Sequence, residues 1–245
     1  RAAAAEGEER RRLSEEQVRY FDEAWRTYRE LPPEQSNYPE FRSYMALCLE
    51  AAAFGLLRLA DERRAREVCD AAIEFSPNSS GPRTVRGIIT YPSERAVADF
   101  RKAVSLGEAT YFPYYHLAHD TLTREDFRGA LSWCQEALKK QPGPRVEAQL
   151  YGWVAICRSH LGGGTDEVDG LFRKALEIDP ENEEILGNYR LFRAALESRS
   201  PPAQPWQHGP VQREEEQYLF DQESRLTGSL DRTAPVRREL QGAGP

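Results

Sequence analysis

Two histidines three residues apart are the most obvious candidate for chemistry in this sequence. His116 and His119 lie beside Asp120 on a predicted helix, and imidazole nitrogens at that spacing can bind a metal ion. However, no carboxylate or cysteine pair elsewhere completes a set of ligands. His119 falls on the inner face of its helix and His116 on the rim. We therefore predict no metal site, and we keep a metal-dependent activity at this pair only as a disfavoured alternative.

A glycine run is the second candidate. Residues 162–165 read Gly-Gly-Gly-Thr and stand ahead of a predicted helix, as they would in a phosphate-binding loop. No strand is predicted before them, and the Lys that such a loop places next to its Ser or Thr is absent. A flexible insertion is the favoured interpretation. Since there is also no Ser/His/Asp or Cys/His arrangement, we predict no catalytic residues, no enzyme activity, no cofactor and no small-molecule substrate.

The cysteines give a weak indication of the compartment. The chain has four of them, with no close pairing pattern, and all fall on predicted apolar helix faces: Cys48, Cys69, Cys134 and Cys157. Such thiols pack as small hydrophobic groups. We expect them to be reduced, which favours a reducing compartment.

Composition excludes two classes of partner. The net charge of -7 argues against nucleic-acid binding, which requires a basic surface. The longest apolar run, residues 45–59, is interrupted by Glu50 and Arg58, so we predict no membrane span. The sequence begins with Arg1 and not Met, which predicts a processed or truncated product: a removed presequence would fit an organelle protein, and ordinary truncation would fit a cytoplasmic one. We expect a soluble protein of the cytoplasm or of an organelle matrix, mitochondrial or plastid.

The stretch from Tyr111 to Pro144 shows which elements would position these residues. It reads as two short amphipathic helices joined by a tight turn and closed by Pro-Gly-Pro. The second helix carries a wide apolar face that consists of Phe127, Ala130, Leu131, Cys134, Ala137 and Leu138. A single helical hairpin cannot bury such a face alone. This hairpin therefore needs neighbours of the same kind.

The pattern of that second helix returns along the chain. It consists of a small residue, an aromatic residue or Cys four positions later, and Ala three positions after that. It occurs as Ala65/Cys69/Ala72, Ala96/Phe100/Ala103, Ala130/Cys134/Ala137 and Val168/Phe172/Ala175, at spacings of 31, 34 and 38 residues. Proline follows the last Ala by five positions in three of the units, at Pro77, Pro142 and Pro180. These regularities indicate a repeat protein.

A period near 34 residues, with two helices and a closing proline in each unit, resembles the tetratricopeptide repeat (TPR) family. The resemblance covers residues 44–197 approximately, and its best-matched stretches are Leu117–Pro142 and Leu171–Pro180. It implies an all-α solenoid of about four helical hairpins. The second unit is three residues short and the fourth carries the insertion at residues 162–165, so we expect an irregular stack.

Three segments follow from this pattern. Residues 1–36 form an N-terminal arm and capping helix, residues 37–197 form the TPR-like domain, and residues 198–245 form a proline-rich extended tail. Within the first segment a stripe of Val18, Phe21, Trp25 and Tyr28 should cover the apolar end of the stack. Ser14 with Gln17 predicts the start of that helix as a capping box. Thr165 or Asp166 is the predicted cap of residues 168–178.

The last helix and the tail complete the chain. Residues 181–197 are predicted to form a C-terminal capping helix whose inward side chains are Ile185, Leu186, Tyr189, Phe192 and Leu196. The tail holds six of the sixteen prolines and loses the helical period, so it is expected to become ordered only against another surface. Its predicted anchors are Trp206, Tyr218, Leu219 and Phe220.

The resemblance also implies a binding groove, because the first helices of the units line the concave face of TPR domains. The corresponding residues are Phe54, Leu57, Ile88, Tyr115, His119, Leu122, Gln149, Trp153 and Ile156. Family members that dock the acidic tails of heat-shock chaperones use Lys, Arg and Asn there, and this chain does not, so that function is not carried over. An apolar groove holds either a segment of a partner or the chain's own termini.

These observations favour a non-catalytic scaffold or accessory subunit of a larger protein assembly. Its partners would be other protein subunits or peptide segments, bound by the groove and by the tail. The alternative is a transient peptide-binding adaptor or co-chaperone. The sequence identifies neither the partner nor the oligomeric state.

Overall fold

A computed structural model describes residues 2–36 and 38–198, and in these ranges the chain consists of helices joined by short turns, with no strand. The helices are α1 (Ala2–Glu30), α2 (Pro33–Ser36), α3 (Pro39–Arg58), α4 (Glu62–Phe75), α5 (Gly81–Thr90), α6 (Glu94–Ser105), α7 (Phe112–Thr123), α8 (Phe127–Lys139), α9 (Pro144–His160), α10 (Thr165–Ile178) and α11 (Glu183–Ser198). They form two compact units, one that ends at Tyr91 and one that begins at Pro92.

The helices of the hairpins begin in two alternating ways. Helices α3, α5, α7 and α9 have a proline in the first turn, at Pro39, Pro82, Pro113 and Pro144. A backbone N–H in the first turn has no acceptor within the helix, so its absence from proline does not destabilise the helix, and the proline ring holds φ near the helical value. Helices α4, α6 and α8 start instead on a side-chain cap, because Asp61, Ser93 and Asp126 each accept a hydrogen bond from the backbone N–H three residues on. In these three hairpins, α3–α4, α5–α6 and α7–α8, the sequence thus marks the first and the second helix differently.

Four helices end in the same type of turn. The residue after the C-cap has positive φ in each, at Ala60, Gly107, Glu125 and Gly162. The next N–H then donates to the carbonyl five residues back, as in Asp126 to Thr121 (2.9 Å) and Gly163 to Arg158 (2.8 Å). This is the Schellman arrangement, which satisfies carbonyls that the helix end leaves open.

The first unit is organised around α3, which packs against α1, α4 and α5. Its core joins Phe21 of α1 to Leu49, Ala52 and Ala72. Along α1 the rings continue from Phe21 to Trp25 to Tyr28, and Tyr28 meets Phe75 of α4 edge-on at 5.2 Å. The predicted stripe of α1 therefore faces α3 and α4.

The second unit is a run of helices in which each packs against the next, from α6 to α11. The repeat signature supplies its contacts: Ala96, Phe100, Ala103, Ala130, Cys134, Ala137, Val168, Phe172 and Ala175 are at most 1% exposed. Ala65, Cys69 and Ala72 are equally buried in the first unit. Small residues at these positions let neighbouring helices approach closely, and the aromatic ring or thiol fills the space between them.

Two predicted helix caps are wrong. α1 begins at Ala2, so Ser14 lies inside the helix, fully buried, and cannot be its cap; the Ala, Glu and Arg run before it favours helix strongly enough to extend it. α10 begins at Thr165 itself, with Gly164 before it and no side-chain cap. Asp166 is instead an acidic residue of the first turn, where it is favoured by the helix dipole. Leu196, predicted to face inward, is 38% exposed.

Across residues 2–36 and 38–198, no helix combines the length and the apolar character that crossing a bilayer requires.

Candidate functional site

The predicted groove residues lie on the first helices of the hairpins. In the first unit Phe54 and Leu57 belong to α3 and Ile88 to α5, and all three are buried. The other six, which we call the α7–α9 face, belong to the second unit: Tyr115, His119 and Leu122 on α7, and Gln149, Trp153 and Ile156 on α9. Five of these six are buried and Gln149 is half-buried.

Trp153 is the centre of the α7–α9 face. Its ring stacks on Tyr115 with centroids 4.8 Å apart and an interplanar angle of 21°. The ring of His119, one helical turn further along α7, lies 5.4 Å from the same indole. The structure therefore brings Tyr115, His119 and Trp153 together in one aromatic cluster.

Glu184, which the sequence analysis missed, completes this cluster. Its Oε1 accepts hydrogen bonds from the indole N–H of Trp153 (3.1 Å) and from Nε2 of Gln149 (2.6 Å). Asn182 donates in turn to Oε1 of Gln149 at 3.3 Å. A buried indole N–H needs an acceptor, and that requirement was the available signal for an acidic residue near Trp153.

The close approach of α9 and α11 places Glu184 within hydrogen-bonding distance of Trp153. Gly152 lies opposite Ile185, and a Cβ on the glycine would stand 3.2 Å from Cγ1 of Ile185. The lack of a side chain at Gly152 therefore lets α11 come near enough for Glu184 to reach Trp153. Ile185 itself is fully buried.

His116 points in a different direction from His119. Its ring lies parallel to Phe100 of α6, with centroids 4.8 Å apart. Burial, and secondarily the neighbouring His119, lowers the pKa of His116 to about 3. The imidazole is therefore neutral at ordinary pH and far from the pKa that suits a general base there. Among residues 2–36 and 38–198 no three His, Cys, Asp or Glu side chains are grouped so that they could hold a metal ion.

The cysteines are free thiols, half-buried at Cys48 and buried at Cys69, Cys134 and Cys157. Burial, together with Cys157, raises the pKa of Cys134 well above its usual value, and burial raises the pKa of Cys157 to about 12. Because the thiolate is the reactive form, these two groups are poor nucleophiles and poor metal ligands.

The glycine run acts as a turn. Gly162 has a φ of 80° and Gly163 donates its N–H to Arg158, so these residues close the C-terminus of α9. A helix, and not a strand, precedes the run.

His160, at the end of α9, stacks its ring on that of Phe127, with the ring centroids 3.8 Å apart. The predicted tail anchors Trp206, Tyr218, Leu219 and Phe220 lie outside the described residues.

First and second helices differ in how much of their surface is buried. All eleven residues from Phe112 to Leu122 of α7 are buried. In α8, by contrast, the buried residues are Ala130, Cys134 and Ala137, which is one stripe. The α7–α9 face is therefore not open to solvent in the structure.

Comparison with known proteins addresses the fold. No protein-family model and no curated protein matches the sequence. One similar solved structure is that of YrrB, described as a TPR protein with an unusual peptide-binding site. The two sequences are 20% identical, and the TM-score is 0.53. The aligned region covers 74% of this chain and 86% of YrrB. Yeast Tom70 is 18% identical over 86% of this chain and 40% of its own, with a TM-score of 0.47. TTC0263, a thermophilic TPR protein of Thermus thermophilus, is 17% identical over 77% of this chain and 99% of its own, with a TM-score of 0.42.

The conclusion about fold rests on YrrB, since the other two TM-scores fall below 0.5. The chain has a TPR fold, and the predicted resemblance and the all-α, TPR-like solenoid class are confirmed. At 20% identity the likeness extends to the fold alone.

Proposed function

We propose that this chain is a non-catalytic interaction subunit that holds a segment of another protein against the α7–α9 face. The observation that carries the proposal is the cluster of Tyr115, His119 and Trp153, on the two first helices of a TPR fold. Tyr and Trp are the residues that most often dominate binding energy in protein interfaces, because each offers a large rigid surface with one polar group.

The edge of the cluster adds hydrogen-bonding capacity. Gln149 is half-buried, as are its hydrogen-bond partners Asn182 and Glu184, so polar groups line the boundary of the face. An apolar ligand segment, helical or extended, would insert its side chains against Trp153 and satisfy its own backbone at this edge. A peptide ligand is also consistent with the description of YrrB as a TPR protein with a peptide-binding site.

The burial of the face favours a stable assembly over a transient adaptor. Tyr115, Trp153 and Ile156 are at most 5% exposed in the chain alone, so the face must open before a partner segment binds. Such a step suits a partner that stays bound better than ligands that are exchanged repeatedly. We therefore assign the chain as a scaffold or accessory subunit. The segments 1–36, 37–197 and 198–245 would be its cap, its binding domain and its extended tail.

Other properties follow as part of the same proposal. The buried free thiols suit a reducing compartment such as the cytoplasm or an organelle matrix. The net charge of -7 suits protein partners better than nucleic acid. We assign no catalytic residue and no cofactor. Metal-dependent activity at His116 and His119 is disfavoured, because His116 is stacked on Phe100 with a pKa of about 3.

A pair of neighbouring positions on α9 tests the proposal. A photo-crosslinking amino acid at Gln149 would lie at the edge of the α7–α9 face. The same group at Tyr151 would lie on another side of α9, where Tyr151 accepts a hydrogen bond from Lys174 of α10. Both variants would be expressed in the native host, irradiated, and analysed by mass spectrometry.

We expect one protein to be cross-linked from position 149 and not from position 151. The cross-linked peptide should contain an apolar or aromatic segment, because the face is aromatic. Equal cross-linking from the two positions, or none from position 149, would contradict the proposed binding site.

A further inference from the structure

We propose that Trp153 and Gln149 form a binding position for an acidic side chain of the partner segment, and that Glu184 occupies this position in the chain alone. The inference rests on the proposed function, because it concerns the segment that binds the α7–α9 face. It adds the chemical character of that segment and an intrachain competitor for its place.

The two hydrogen-bond donors point to one place. Gln149 and Trp153 are four residues apart on α9 and therefore lie on the same side of that helix. Nε2 of Gln149 and Nε1 of Trp153 both donate to Oε1 of Glu184, at 2.6 Å and 3.1 Å. A carboxylate accepts several hydrogen bonds, and hydrogen bonds to a charged acceptor are stronger than neutral ones. This pair of donors is therefore suited to hold a carboxylate, whichever chain supplies it.

Other contacts hold the two donors in place without Glu184. The Trp153 ring stacks on Tyr115, with the ring centroids 4.8 Å apart. Oε1 of Gln149 accepts a hydrogen bond from Nδ2 of Asn182 at 3.3 Å, which leaves Nε2 directed to its own acceptor. Both donors would thus keep their orientation when Glu184 moves away, as a preorganised binding position requires.

Glu184 is able to leave this position by rotating its side chain. It is half-buried and lies in the first turn of α11. The backbone of that turn is held separately, because Ile185 is fully buried against Gly152 and its N–H donates to Oδ1 of Asn182 at 3.1 Å. Rotation of one half-buried side chain therefore uncovers both donors while α11 keeps its contact with α9.

The same two donors determine the chemistry of the partner segment. A segment that covers Trp153 with apolar side chains removes its indole N–H from water, and a buried donor without an acceptor is unfavourable. The segment must therefore bring an acceptor of its own when it displaces Glu184. We expect the side chain of an aspartate or glutamate beside its apolar residues, since such a group restores the charge-assisted hydrogen bonds that Glu184 made.

Rescue by acetate tests the binding position in the purified full chain. Glu184→Ala removes the intrachain carboxylate, and acetate, which resembles the end of an acidic side chain, is the probe. Acetamide is the neutral control of the same shape. The indole N–H proton signals in NMR spectra report binding, and Trp153→Phe identifies the signal of Trp153 by its loss.

We expect the Trp153 signal of Glu184→Ala to shift with acetate until it saturates, and not to shift with acetamide. The native chain and Glu183→Ala should show no such shift, because Glu184 still fills the position. Glu184→Ser leaves similar space and replaces the alanine variant if that variant does not fold. An unchanged signal in the Glu184 variant, equal shifts with acetate and acetamide, or an equal shift in Glu183→Ala would overturn the inference.

The partner captured from position 149 provides the second test, with binding measured in chains that retain Gln149. If Glu184 competes with the partner, Glu184→Ala should bind it about threefold to tenfold more tightly, because the position is no longer filled in the free chain. Exchange of the acidic residue of the partner segment for its amide should cancel this gain. Weaker binding by Glu184→Ala, or a captured segment without Asp or Glu, would overturn the inference. Failure of the acetate test leaves the proposed function standing, whereas failure to capture a partner contradicts the proposed function and leaves the acetate result unaffected.

Discussion

Trp153 of α9 donates its indole N–H to Oε1 of Glu184 of α11 at 3.1 Å. The same oxygen accepts from Gln149, so one carboxylate holds two residues of the α7–α9 face. Hydrogen bonds to a charged acceptor contribute more than neutral ones, and losing a buried group's partner costs its full desolvation. Glu184 therefore attaches α11 to the α7–α9 face.

Glu184→Ala should lower the free energy of unfolding by about 1–3 kcal/mol, since it leaves the Trp153 N–H without its acceptor. Chemical denaturation followed by tryptophan fluorescence measures this. Glu183→Ala, an exposed position one residue earlier, is the control and should change stability by less than about 0.5 kcal/mol. If both variants had the stability of the native chain, the hydrogen bonds to Glu184 would be energetically unimportant.

Replacing two glycines of one hairpin by alanine should change the stability of the protein in opposite directions. Gly162 has a φ of 80° in the Schellman turn, with open space where a Cβ would go. Gly162→Ala should therefore destabilise by about 1 kcal/mol through backbone strain alone. Gly170, inside α10, also has open space and an ordinary helical φ. Gly170→Ala should stabilise by about 0.5–1 kcal/mol. Thermal unfolding of the two variants measures both signs; a stabilising Gly162→Ala would contradict the turn geometry.

The repeat core was predictable because its signal is local and periodic. A small residue, a ring or thiol, and an alanine at helical spacing predict a buried stripe whatever lies opposite, and Ala130, Cys134 and Ala137 are fully buried. The meeting of Tyr115 and Trp153 was predictable from the resemblance, since it places them at equivalent positions on successive first helices; that they bind a ligand stays a prediction. Their stacking on each other, at 4.8 Å, follows from that alignment.

Features that depend on distant partners were not predictable. A glutamate in the first turn of a helix is expected to be exposed, so no local pattern predicts that Glu184 accepts a hydrogen bond from a tryptophan 31 residues earlier.

The hydrophobic periodicity also does not predict the burial of two polar residues of α7, Asp120 and Thr121. Their polar groups are satisfied within α7 and its end, where Thr121 Oγ1 donates to the Leu117 carbonyl at 2.7 Å and Asp120 pairs with Arg124 at 3.0 Å. Such local bonding makes polar side chains compatible with burial.

His116 should make stability depend on pH below neutrality. Its pKa is about 3 in the folded chain against about 6.5 when unfolded. Between these values only the unfolded chain binds the proton. The stability is thus fully present above pH 6.5 and falls as the pH drops toward 3, by about 1.4 kcal/mol per unit at most. His116→Phe keeps a ring against Phe100 and removes the titration.

Denaturation curves between pH 7 and 4.5 test this effect. The stability of the native chain should fall by about 2–3 kcal/mol more than that of His116→Phe over this range. Any packing change caused by the larger ring is the same at each pH and does not alter the slope. His160→Phe is the control: burial lowers its pKa too, but the side chain is exposed, so the slope should change less. Identical slopes for the native chain and His116→Phe would show that His116 is protonated normally.

Asp169 joins α10 to α11, and its pKa should depend on the residues that it contacts. Its Oδ1 accepts a hydrogen bond from the Tyr189 hydroxyl at 2.8 Å, and Arg173 and Arg193 pair with the same carboxylate. The Tyr189 hydrogen bond, more than either arginine, lowers the pKa of Asp169. A carboxylate with a lowered pKa stabilises the fold above its unfolded value of about 3.9, and that contribution is lost as the pH falls through the folded pKa.

Tyr189→Phe removes the hydroxyl and keeps the ring that packs on Phe172. The pKa of Asp169 should rise toward its ordinary value, because the two arginines alone stabilise the charge less. Carbon-13 NMR titration of the aspartate carboxyl measures this shift. Tyr151→Phe is the matched control, since its hydroxyl accepts from Lys174 and does not contact Asp169; it should leave the Asp169 titration unchanged. If Tyr189→Phe left that titration unchanged as well, the arginines, and not the tyrosine, would set the charge of Asp169, and the α10–α11 contact would depend on ion pairs that salt weakens.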